Sequence, residues 1–231
     1  MLKKKWISLA VLMIILGLYG SYKLMNSREY QLFGGLTNRV ETDQKVVALT
    51  FDDGPTQNVE DILPLLDQYH AKATFYVIGK ELKKNKEIGK MIVEAGHDLG
   101  NHSYSHKPMV FKKKAFMKEE IERTNQLILE VGFKKEIDFR PPNGKKLVGL
   151  PYYLNQNDIE TITWDLEPDT YYTNTQDKVN YVNEHVKSGS IILLHPMYDN
   201  SGEELKTIEE ILKSLTNKGY QFITVNELQN M

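Results

Sequence analysis

From Lys45 onward, short apolar and β-branched runs alternate with longer runs of helical period. The strand-like runs cover 46–51, 73–78, 98–101, 137–140, 160–164, 190–194 and 221–225. The helix-like runs cover 59–69, 84–94, 113–130, 176–187 and 203–218, with Asn58 and Ser201 standing where N-caps of the first and last would be. This alternation predicts an α/β domain, a parallel sheet covered by helices. Periodicity alone does not separate a closed barrel from an open, doubly wound sheet. Barrels of this kind build their sites at the C-terminal ends of strands.

The chemistry-bearing residues fall at such ends. The first run closes with Thr50-Phe51-Asp52-Asp53-Gly54-Pro55. Successive side chains of a strand point to opposite faces, so two adjacent acids can serve two tasks, one holding a metal and the other moving a proton, where a turn with Asx-type hydrogen bonds is the alternative. About 50 residues later comes His102-Ser103-Tyr104-Ser105-His106. Histidines at i and i+4 face one side of a helical turn, a spacing that suits two imidazoles on one divalent ion. With one carboxylate the set has three protein ligands and a place for water, the open pattern of catalytic zinc.

These two segments, with Phe139-Arg140-Pro141-Pro142-Asn143-Gly144, Trp164-Asp165-Leu166-Glu167-Pro168-Asp169 and Ile191-Ile192-Leu193-Leu194-His195, resemble the polysaccharide deacetylases, the NodB-homology group of carbohydrate esterases, in the family's order. Ala73–Gly79 also resembles the family's second strand, and the resemblance runs from about Val46 to Leu228. It implies a distorted (β/α) barrel of about seven or eight strands. It implies Asp53, His102 and His106 as metal ligands and Asp52 as general base. Arg140 is implied as the partner of that base, and the N–H of Asn143 as oxyanion donor. His195 is implied as general acid, with Asp169 orienting it. Leu193 is expected to meet the acetyl methyl group. The ion expected is zinc, with cobalt or another divalent ion also open. Two positions depart from the pattern: Asn143 stands where an aromatic is common, and Thr170 where tryptophan often lines the groove. Tyr171 or Tyr172 is a candidate substitute. Trp164 is read as core or groove floor. His70, His97 and His185 are read as structural or solvent-facing, and Asp165 and Glu167 as acids without an assigned role.

The N-terminal part has a different character. Lys3-Lys4-Lys5 precede an apolar stretch from Trp6 to Tyr22. Seventeen residues of helix span roughly 25 Å, the lower limit for crossing a bilayer. The lysines predict a cytoplasmic N-terminus with everything after Lys23 outside. No Ala-x-Ala site follows, so an uncleaved signal anchor over 1–22 is favoured over a cleaved signal peptide. Residues 23–44 are polar and aperiodic and read as a linker to a catalytic domain over 45–231. The chain has no cysteine, which excludes disulfides and thiolate sites. A net charge of −2 without a basic stripe gives no nucleic-acid footprint.

The expectation is a single-pass membrane protein, monomeric, with an extracellular metal-dependent N-deacetylase domain. Its substrate is an acetylated polysaccharide, with peptidoglycan favoured because a short tether reaches only nearby wall. The alternatives are chitin-like or O-acetylated polymers, and a non-catalytic wall binder on the same fold.

Overall fold

The computed structural model describes residues 2–231, with side chains from residue 5 onward. The elements in chain order are α1 (Leu2–Asn26), β1 (Leu36–Thr37), β2 (Val46–Gly54), α2 (Val59–Gln68), β3 (Ala73–Val77), α3 (Gly79–Lys84), α4 (Lys86–Glu94), β4 (Asp98–Asn101), α5 (Lys114–Glu130), α6 (Gly149–Asn155), β5 (Thr161–Ile162), α7 (Thr175–His185), β6 (Ile191–Leu194), α8 (Glu203–Asn217), β7 (Gln221–Phe222) and α9 (Val225–Gln229).

Strands β4, β3, β2 and β6 lie side by side, all parallel, and β7 pairs with the start of β2. Past β4 the ladder thins to single parallel bridges, Asn101 to Phe139 and Phe139 to Thr161 of β5. Just beyond β5, Leu166 bridges Ile192 of β6. The partners thus run from β6 through β2, β3, β4 and Phe139 to β5 and back to β6. This is a closed but irregular barrel. The run 137–140, expected as a strand, keeps only the bridge at Phe139.

Side-chain alternation sorts β2 into two layers. Val46 and Ala48 face inward onto Tyr76, Ile162, Ile191 and Leu193. Val47, Leu49 and Phe51 face outward under the helices, against Ile62 and Leu66 of α2 and Ile208, Ile211 and Leu212 of α8. Each such fully buried aliphatic side chain contributes about 1.5–3 kcal/mol. The two expected N-caps are built differently. Asn58 caps α2 by position only, its amide donating to Pro196 O and Asp199 O at 2.8 and 2.7 Å. Gly202, not Ser201, is the N-cap of α8.

Helix α1 is long and apolar enough to cross a membrane, and none of its apolar span is buried against the rest of the chain. The segment after it, read from the sequence as a linker, lies on the barrel. Strand β1 pairs with β5, and Lys146 donates from its backbone to Met25 O at 3.0 Å and from its ammonium to Ser27 O. Lys146 is wholly buried, which explains why its ammonium needs that carbonyl.

Candidate active site

Asp52, Asp53, His102, His106, Asn143 and His195 line one pocket at the C-terminal mouth of the barrel. Asp52 continues the inward face of β2. Asp53 would by alternation point outward with Phe51. Its φ of +71° and the register shift between Phe51 and Gly54 turn it back to the mouth. Such left-handed backbone is uncommon outside glycine and clusters at functional sites.

The two histidines do not lie on a helix. Residues 102–106 form an irregular loop, with Ser103 at φ +63° and His106 at φ +57°. Side chains beneath it hold its shape. Asn101 Oδ1 accepts from Ser103 N at 2.7 Å, and Ser103 Oγ accepts from His106 N at 3.0 Å. The Glu120 carboxylate of α5 accepts from Ser105 N and Oγ at 2.7 and 2.8 Å. The loop brings the two Nε2 atoms to 3.1 Å. Asp53 Oδ1 lies 3.6 Å from His102 Nε2 and 3.2 Å from His106 Nε2.

This donor set fits a divalent cation. The Arg140 carbonyl only accepts, so His102 Nδ1, 2.8 Å away, carries the proton, and Nε2 presents its lone pair to the mouth. Asp53 Oδ1 is buried and accepts no hydrogen bond. Two imidazole nitrogens and an orphaned carboxylate oxygen, all within 4.8 Å of one another, are what three zinc ligands present.

Asp52 sits behind them, almost fully buried. Arg140 Nη1 donates to Asp52 Oδ1 at 2.7 Å and to Thr50 Oγ1 at 2.9 Å, and Nη2 donates to Thr163 O at 3.2 Å. The guanidinium packs 3.8 Å from the centre of the Tyr76 ring. Burial pushes the Asp52 carboxyl upward, but Arg140, with His102 and His195, outweighs it and holds the group below the usual carboxylate range.

His195 follows β6 on the opposite side of the mouth. Its Nδ1 and backbone N both lie 3.0 Å from Asp169 Oδ2. Lys178 of α7 holds the other oxygen of Asp169 at 2.8 Å and also pairs with Glu204. Burial works against the imidazolium. The hydrogen bond that His195 donates to Asp169 and the charges of Asp52, Asp169 and Asp53 overcome it and push His195 up to about 9. Asn143 lies in a short 3-10 turn at φ +55°, and its N–H has no partner among the described residues.

The other expected residues divide between the pocket and the core. Leu193 does not reach the pocket; it is fully buried in the barrel interior, opposite Thr50. Trp164 forms part of the groove and donates from Nε1 to Glu167 Oε2 at 3.0 Å. Asp165 ties the chain to β6 through Ser190 Oγ and Ile191 N at 2.7 and 2.8 Å. His97 is buried, accepts from Ala73 N at 3.2 Å, and is pushed by burial to about 4. Thr170 lines the pocket, and Tyr171 lines an adjoining depression with Tyr181, its ring 5.3 Å from that of Tyr181. Four residues with structural parts in the site were not singled out from the sequence: Arg28, Glu120, Lys178 and Tyr181. Only Lys178 had a signal, an isolated cation on the buried face of an otherwise amphipathic helix.

Residues 39–162 match the family model described as polysaccharide deacetylase. A peptidoglycan-N-acetylglucosamine deacetylase of Bacillus cereus is 31% identical over 205 residues, 87% of this chain and 96% of the relative. The peptidoglycan-N-acetylmuramic acid deacetylase PdaC of Bacillus subtilis is 32% identical over 83% of this chain, which spans only 40% of that protein. Among solved structures, BA3943 of Bacillus anthracis, described as a CE4 family pseudoenzyme, superposes with a TM-score of 0.75 at 26% identity, over 85% of this chain and 69% of that one.

Proposed function

The chain belongs to the polysaccharide deacetylase family, and from that premise we propose that it hydrolyses N-acetyl groups of peptidoglycan sugars, with a divalent metal, at the outer face of a membrane. The observation that carries this reading is the joint presence of three converging ligands, a charge-paired buried base and a charge-paired acid around one pocket. A relative that lacks activity, such as the anthracis pseudoenzyme, makes the non-catalytic binder the second reading. The intact set of groups favours the enzyme.

Asp53, His102 and His106 would hold the ion, which, when bound, lowers the pKa of a water and polarises a carbonyl. Asp52, kept ionised by Arg140, takes a proton from the attacking water. The Asn143 N–H donates to the acetamide oxygen as negative charge develops there. His195, charged and held by Asp169, gives its proton to the departing nitrogen as the C–N bond breaks. The products are acetate and a free amine. Base and acid are separated by opposite charge environments in one pocket.

The anchor reading rests on the exposed apolar surface of α1. The domain reading, with an anchor over 1–22 and the catalytic part from 45, gains a qualification: residues 25–44 pack on the barrel and belong with it in any truncation. The test is incubation of the full chain, purified in detergent with zinc, with muropeptides and N-acetylglucosamine oligomers. Mass losses of one acetyl group support the reading, and unmodified substrates with retained polymer binding support the second. Cell fractionation with N-terminal sequencing tests the anchor; a soluble mature protein starting near Ser21 would contradict it.

A further inference from the structure

The segment that follows α1 carries a cation into the catalytic pocket. Arg28 lines that pocket beside Asp52, Asp53 and His195, and it also lines the adjoining depression with Asn38, Tyr171 and Tyr181. It stands where the two meet, so a polymer running from one into the other passes it. Its position is fixed. The Arg28 carbonyl accepts from Thr163 Oγ1 at 2.5 Å, and Lys146 holds the backbone at Met25 and Ser27. The guanidinium carbon lies 4.4 Å from the centre of the Trp164 ring. A Cβ at Gly144 would come within 2.4 Å of that carbon, so only glycine leaves room for it.

The partners of Arg28 do not neutralise it. Nη1 donates to Asn26 O at 3.3 Å and Gly144 O at 2.8 Å, and Nη2 donates to Asn143 O at 3.2 Å. All three acceptors are neutral carbonyls. The charge of Glu167 acts on Arg28 from the same pocket, its carboxylate accepting from Trp164 Nε1, and no ion pair within 4.0 Å joins the two among the described residues. A guanidinium has five N–H donors. Among the described residues Nε–H and one N–H of Nη2 make no hydrogen bond, and two donors of one guanidinium can serve the two oxygens of a carboxylate.

We propose that Arg28 reads a carboxylate carried by the glycan, so that the site favours acid-bearing sugars over neutral N-acetylglucosamine polymers. This deepens the deacetylase reading above and rests on it. In peptidoglycan a carboxylate has two sources, the free lactyl group of a muramic acid without peptide and the acids of a stem peptide.

The experiment measures kcat/KM of the full, zinc-loaded chain on three oligosaccharides of equal length. One is a neutral N-acetylglucosamine oligomer, one alternates with muramic acid bearing free lactyl groups, and one carries stem peptides. Wild type is compared with Arg28→Gln and Arg28→Lys. A charge-assisted hydrogen bond is worth a factor of about 10 to 100. Arg28→Gln should therefore lower the ratio of acid-bearing to neutral turnover by about that factor. Arg28→Lys, which keeps a charge but not the two-donor edge, should lose part of it. Whichever acid-bearing substrate shows the fall identifies the source. If Arg28 only supports the turn at Asn143 and Gly144, all three substrates slow together and the ratio stays constant, which overturns the proposal. Absence of turnover on every substrate by wild type overturns the deacetylase reading, and this inference with it.

Discussion

Replacing Asp169 by Asn should move the alkaline limb of the pH–rate profile. His195 is held up to about 9 against the cost of its burial by the hydrogen bond it donates to Asp169 and by three carboxylate charges. A raised pKa keeps the imidazolium available below about pH 9 and removes it as pH rises through that value. The variant loses one charge and the charge-assisted bond at 3.0 Å, but Asp52 and Asp53 remain. Its limb should therefore fall toward the ordinary value of about 6.5. For a limb between about 7.5 and 6.5, the protonated share at pH 8 drops from about nine-tenths to between about a quarter and 3%, a loss of roughly 4- to 30-fold. The fold should survive, because Lys178 keeps Glu204 as partner and no buried charge is stranded. The assay is kcat/KM from pH 5 to 10 by fluorescent detection of the released amine. Repulsion from a cation at the adjacent ligands acts on both proteins alike, so the difference between the two limbs is the readout. Superimposable alkaline limbs would refute Asp169 as the group that tunes the acid.

His102→Ala should abolish zinc binding measured by calorimetry while the circular dichroism spectrum stays that of wild type, and chelation of wild type should remove activity that added zinc restores. Asn143→Gly keeps the backbone donor and suits φ +55°, so turnover should stay within about threefold; Asn143→Pro removes the N–H and cannot take that φ, and should cost on the order of 10²–10³ in kcat. Arg140→Met strands the buried Asp52 carboxylate and should destabilise the fold by about 3–5 kcal/mol in urea unfolding, with much of the loss recovered when Asp52→Asn is added.

The sequence was most legible where a side chain's role depends on its neighbours in the chain. The acids that end β2 and the histidine after β6 stand at strand ends that alternation locates, and the arginine before two prolines follows the single bridge at Phe139. It was least legible where the backbone leaves common conformations. His102 and His106 meet as the i, i+4 spacing suggests, but through a loop with left-handed Ser103 and His106, which no residue type other than glycine announces. Leu193 lies in β6, which is buried on both faces, so its pattern marks no side as the pocket. Residues 27–44 have neither period nor apolar run, and they bind the barrel mostly through backbone carbonyls and the short β1 pairing. That chemistry is independent of side-chain pattern, which hid both their docking and the entry of Arg28 into the site. The run 84–94 reads as one helix, but the chain forms two, Gly79–Lys84 and Lys86–Glu94, broken at Asn85, whose amide donates to Pro55 O at 2.8 Å.

The central claim is hydrolysis of an N-acetyl group by these residues. It is tested most directly with the zinc-loaded full chain and peptidoglycan oligomers in water enriched in oxygen-18. The account predicts acetate carrying one oxygen from the solvent, released in equal amount with free amine, and almost none from Asp52→Asn, which retains zinc. Polymer binding by the zinc-loaded wild type without any release of acetate would contradict it.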